Sequence, residues 1–143
     1  MADNRIAIIG TSPTGHTDLV VVVKLGGGLD GATERLRKYM AGVGAEAGLV
    51  VGPDVIRILR QTYQGDPSIQ VVDEFPIALA HGLRIGTDVV EFEDSVQRWL
   101  EAFQEGRDVA AEPLRSALAE HVLPLIEGGA VRAAGPRVHA AAS

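Results

Sequence analysis

The run Asp18-Leu19-Val20-Val21-Val22-Val23-Lys24 constrains the fold of this chain more than any other segment. From Leu19 to Leu25 it is almost entirely valine, and a β-branched run with no polar alternation is apolar on both faces. A strand of that kind is stable only with cover on each side, so it belongs at the centre of a sheet. Aspartate opens the run and lysine closes it. Charge on a buried apolar strand is costly unless it is paired or put to use.

The segments on either side read as elements of one sheet with helices. Arg5 to Ile9 is a short strand, and the turn-rich stretch Gly10 to Gly15 joins it to the valine strand as a hairpin. Gly26-Gly27-Gly28 breaks the valine strand. Asp30 then caps a helix through about Val43, with Ala32, Leu36, Tyr39, Met40 and Val43 at helical spacing. Ala47 to Val51 is another apolar strand. Gly52-Pro53-Asp54 turns the chain into Val55 to Tyr63, whose two faces alternate as Val55, Arg57, Leu59 and Ile56, Ile58, Arg60. Ile69 to Val72 reads as an edge strand and Phe75 to Leu83 as a helix beginning at Pro76. Asp94 caps a helix to about Gln104 with Val96, Trp99, Leu100 and Phe103 inward. Glu112-Pro113 opens a last helix with the stripe Leu114, Leu118, Val122 and Leu125, since proline is tolerated in a first turn. The expected fold class is α/β (α+β), a central mixed sheet flanked by helices, with a helical C-terminal part. Residues 1–128 are expected to form a single domain and 129–143 a frayed tail.

With 143 residues there is room for one modest core, and at 4% aromatic content that core must be aliphatic. There are no cysteines, hence no disulfide and no thiolate zinc site. No apolar run approaches the roughly 18 residues that span a bilayer, and Met-Ala-Asp-Asn-Arg lacks an apolar signal core. The expectation is a cytoplasmic, bacterial-type protein without a membrane partner. Net charge is −6, unevenly spread. Residues 1–64 hold 7 Lys/Arg against 6 Asp/Glu, while residues 65–143 hold 6 against 13. The modest basic group of the first half, including Arg35, Lys38 and Arg57, permits at most weak nucleic-acid binding.

The order of these segments resembles the core of small PD-(D/E)XK (restriction-endonuclease-like) domains. Asp18, the hydrophobic strand and Lys24 resemble its aspartate–strand–acid-x-lysine signature, with Val22 in place of the second acid. Arg35-Leu36-Arg37-Lys38-Tyr39 stands where such domains often carry glutamine-leucine-x-x-tyrosine, and the strand pair 47–51 and 55–59 follows. The resemblance covers about a third of the chain.

The resemblance implies a metal-dependent phosphodiesterase site. Such chemistry needs a divalent ion to polarise phosphate and activate water, and Mg²⁺ takes hard oxygen ligands, usually more than one carboxylate. Asp18 would be the metal ligand and Lys24 would position the water. Val22 ligates nothing, so Asp18 and Lys24 left together would form an ion pair. Glu34 is the candidate for a relocated acid, set against its plainer role as a solvated residue near a helix start. Three readings follow. One is a nuclease-fold domain with a degenerate site, retained for interaction or assembly with a protein partner or a second copy in a nucleic-acid or defence-related system. Another is an active Mg-dependent nuclease using Asp18, Glu34 and Lys24. The third is a small-nucleotide-binding module, because Gly26 to Gly31 matches G-x-G-x-x-G between a strand and a helix and Asp54 follows.

His16, His81, His121 and His139 are scattered, without metal-ligand spacing; His16, two residues before Asp18, reads as a turn histidine, with entry into the Asp18 cleft as the alternative. Asp88, Glu91, Glu93 and Asp94 read as a solvated loop and helix start.

Overall fold

The computed structural model describes residues 5–135. Six strands form one sheet: β1 (Ile6–Thr11), β2 (Thr17–Val23), β3 (Ala47–Val51), β4 (Val55–Gln61), β5 (Ile69–Pro76) and β6 (Ala130–Ala133). Their spatial order is β5-β4-β3-β2-β1-β6. Four neighbouring pairs are antiparallel and one, β2 with β3, is parallel. That pair is joined across the sheet by α1 (Asp30–Val43). The helices α2 (Val89–Gln104), α3 (Leu114–His121) and α4 (Leu123–Ile126) follow β5. The class is mixed α+β, as the segment order implies.

The valine strand is central, and its alternation builds two cores. Val20 and Val22 face α1 in a cluster with Leu36, Met40, Val50 and Leu59. Leu19, Val21 and Val23 face the other way, toward Phe92, Val96, Trp99 and Leu118. Burying each large aliphatic side chain contributes about 1.5–3 kcal/mol, so cover on both faces is what an uninterrupted valine run requires. The two faces of β4 divide as read, with Leu59 in the α1 cluster and Ile56 and Ile58 in the other.

Gly48 in β3 marks where α1 comes closest. A Cβ there would lie 2.8 Å from Leu36 Cδ2 and 2.8 Å from Met40 Sδ, so only a residue without a side chain lets helix and strand approach.

Several boundaries differ from expectation. Leu29, not Asp30, is the N-cap of α1, and its side chain makes no capping bond. Tyr39 and Val43, placed in the apolar stripe, are 38% and 38% exposed; Thr33 takes a buried position instead because its hydroxyl donates to Leu29 O. The edge strand runs on to Pro76, and 75–83 holds only a 3-10 turn, Ile77–Leu79, rather than a helix. The next helix begins earlier than Asp94. Asp88 caps it by accepting from Glu91 N at 2.9 Å, while Glu91 Oε1 accepts from Thr87 N at 2.8 Å. This reciprocal arrangement is a capping box displaced by one residue. The acidic group is therefore a helix start, and Glu93 is 1% exposed rather than solvated. The boundary expected at 128 also moves. Ala130–Ala133 is a strand, pairing Ile9 with Arg132 and Gly10 with Val131. Residues 136–143 of the expected tail, with His139, lie outside the described residues.

Candidate functional site

β2 sets the geometry of the candidate residues. Asp18 is at its start and Lys24 follows its end. Six residues of extended chain span about 20 Å, so these two charges occupy opposite ends of the strand and do not form the ion pair expected of them.

At the Asp18 end, the β1–β2 turn brings His16 back so that His16 Nδ1 and Asp18 Oδ1 are 2.6 Å apart. His16, read from sequence as a turn histidine, thus takes the alternative place beside Asp18. Glu46 N donates to Asp18 O at 2.9 Å, and the Tyr63 hydroxyl donates to Glu46 Oε2. That bond raises the Tyr63 pKa, because ionising the phenol would forfeit it beside a carboxylate.

The Lys24 end is where the parallel pair finishes and α1 begins. Here a cleft of about 210 Å³ is lined by Gly27, Gly28, Asp54, Arg57 and Glu74 among others. The position follows from topology: β2 hands the chain to α1 through the glycines, and β3 ends beside it. Gly27 has φ 77°, a conformation glycine adopts without a Cβ penalty. Asp54, placed near the glycine run only by sequence distance, does line the cleft.

Arg57 is held rather than free. Its Nε donates to Glu74 Oε2 at 2.7 Å, and its Nη1 to Thr33 Oγ1 at 3.0 Å and Asp30 Oδ1 at 3.3 Å. Partial burial works against its charge, but Glu74 and Asp30 outweigh this and raise its pKa. Arg35 and Lys38 are exposed on the outer side of α1, so Arg57 belongs to a different surface from the other two basic candidates. Glu34, also exposed, accepts from Arg37 Nη1.

Val22, which the resemblance would set where a second acid stands, is 0% exposed among the side chains under α1. Among the described residues, no three His, Cys, Asp or Glu side chains converge on a point that would hold a metal ion. No helix among them is long and apolar enough to cross a membrane. Sequence reading missed the roles of Glu74 and Glu46, which meet Arg57 and Tyr63 only through strand register and loop geometry. Comparison with family models, curated proteins and solved structures returns no match.

Proposed function

We propose that this chain is a non-catalytic interaction module, a nuclease-like sheet whose second acid position is closed and whose free edge receives a partner. The closure of position 22 carries the reading. A carboxylate at that position would be stripped of water among apolar side chains, where an ion could neither reach it nor stay hydrated. Asp18 is engaged by His16, and Glu34 by Arg37.

The edge is β5. No strand lies beyond it among the described residues. Val71 and Val72 are 41% and 38% exposed. They line a shallow groove with Asp30, Asp73 and Glu74, three carboxylates against the single guanidinium of Arg57. An apolar strip rimmed by carboxylates suits an extended partner segment alternating basic and apolar residues, which would add as a further strand. A second copy suits it less, since Asp73 and Glu74 of both edges would approach one another.

Calorimetric titration of Mg²⁺ or Mn²⁺ into the wild-type protein and Asp18→Ala tests the reading. The expected result is no binding in either. Binding that disappears in Asp18→Ala would overturn it in favour of a metal site at the Asp18 end of β2.

A second reading, small-nucleotide binding at Gly26 to Gly31, is favoured by one observation: the cleft lies at the carboxyl ends of the parallel pair, where open α/β sheets usually bind ligands. Thermal stabilisation by a nucleotide would support it.

A further inference from the structure

On the opposite side of the sheet from α1, a second cleft of about 390 Å³ opens between α2 and the loop after the 3-10 turn. Its volume lies within the usual range for small-molecule sites, about 300–1,000 Å³. Ser95, Arg98 and Trp99 present one side of α2 to it, and His81 and Arg84 come from the loop.

The walls are fixed by hydrogen bonds. Arg84 N donates to Ser95 Oγ at 2.7 Å and His81 N to Val109 O at 2.7 Å. Trp99, 3% exposed, donates from Nε1 to Val109 O at 2.9 Å, which locks the floor. The rim is cationic. Among the described residues, neither the Arg84 nor the Arg98 guanidinium enters an ion pair. No carboxylate lines the cleft. The nearest acid to His81 is Asp108, with Oδ1 3.9 Å from His81 Nδ1. Arg5, Arg37, Arg57, Arg107 and Arg115 each have a carboxylate partner; Arg84 and Arg98, like Arg35, Arg60 and Arg132, have none among the described residues, and these two line one cleft.

We infer that this cleft binds a small phosphorylated ligand, with Arg84 and Arg98 gripping the phosphate oxygens, His81 adding a ring N–H and Trp99 forming the floor. A guanidinium presents paired donors that match phosphate geometry, which a carboxylate-free pocket leaves unopposed. The site is independent of the interaction edge and of residues 18–34.

Trp99 is the only tryptophan, so its emission reports on the cleft directly. The test titrates inorganic pyrophosphate and inorganic phosphate into the full chain at constant ionic strength, with chloride as the control. Arg84→Ala, Arg98→Ala and, outside the cleft, Arg107→Ala are compared. The expected result is a saturable change in Trp99 emission, weakened about tenfold or more by each cleft substitution and untouched by Arg107→Ala. The arginines are exposed, and circular dichroism of each variant confirms that loss of signal is not loss of fold. No saturable change, or an equal response in all three variants, would overturn the inference. So would tight binding of an oligothymidylate that depends on Arg84 and Arg98 and is not displaced by pyrophosphate, which would assign the cleft to nucleic acid instead.

Discussion

Arg5 Nη2 donates to Glu93 Oε1 at 2.6 Å across 88 residues of sequence, and the glutamate is 1% exposed while the arginine is 41% exposed. The bond ties the start of β1 to the first turns of α2. Removing the guanidinium takes a charge-assisted bond from a buried carboxylate, which is far costlier than losing a surface pair. Arg5→Ala is expected to destabilise the protein by about 2 kcal/mol, read as a lower urea midpoint with an unchanged denaturant slope.

Gly48→Ala is expected to cost about 1–3 kcal/mol by overpacking. The added methyl would meet Leu36 and Met40 at 2.8 Å, and α1 must lift or both side chains must leave their rotamers. Paired Gly48→Ala and Met40→Ala substitutions, measured by thermal unfolding, are expected to cost less together than the sum of the two alone.

Val22→Glu separates a closed site from one that is merely substituted. The new carboxylate would enter the cluster under α1, at an expected cost of about 3 kcal/mol or more. Calorimetry is expected to show no Mg²⁺ binding gained. Restored binding in a folded Val22→Glu protein would contradict the closure of that position.

Acid sensitivity follows from two helix-start glutamates. Hydrogen bonds from Thr87 N and the Thr87 hydroxyl hold Glu91 below the ordinary 4.5, and the Ser116 hydroxyl does the same for Glu112. Both are lower in the folded state, so their contribution is present above the unfolded value and lost as pH falls through the folded one. Stability of the wild type is expected to decline below about pH 4.5. The Glu91→Gln, Glu112→Gln double variant should decline less over that interval in urea titrations at stepped pH.

Val71→Lys should abolish uptake of an extended lysine-valine peptide, the probe for the β5 edge, with the fold intact by circular dichroism. Nuclear magnetic resonance shifts on adding that peptide to the wild type are expected along 69–76; shifts confined elsewhere would move the interface off this edge.

The sheet was legible because its signal is local. Four valines in a row demanded cover on two faces, and alternation in 55–60 assigned each β4 side chain to a face. Helix starts were less legible. Asp94 and Asp88 are both good caps, and only the reach of Glu91 to Thr87 N distinguishes them. β6 escaped notice because four residues of Ala-Val-Arg-Ala carry little β-propensity of their own; they become a strand because β1 offers an unpaired edge. The distances between the candidate site residues were not legible. Asp18 and Lys24 look adjacent when a strand is read as a word, yet an extended chain puts them at opposite ends of β2. The arginines of the second cleft have no motif at all, since Arg84 and Arg98 share a cleft only because the loop is held to α2, Arg84 N donating to Ser95 Oγ.

The pairing of β1 with β6 leaves the chain's two outermost strands side by side, with Ala134 N donating to Ala7 O at 3.0 Å. Polypeptide therefore enters and leaves the sheet at one corner, on the edge remote from β5. A short bridge from Gly135 to Arg5 with a new opening in the exposed turn at 63–67 would give a circularly permuted protein with every strand in place.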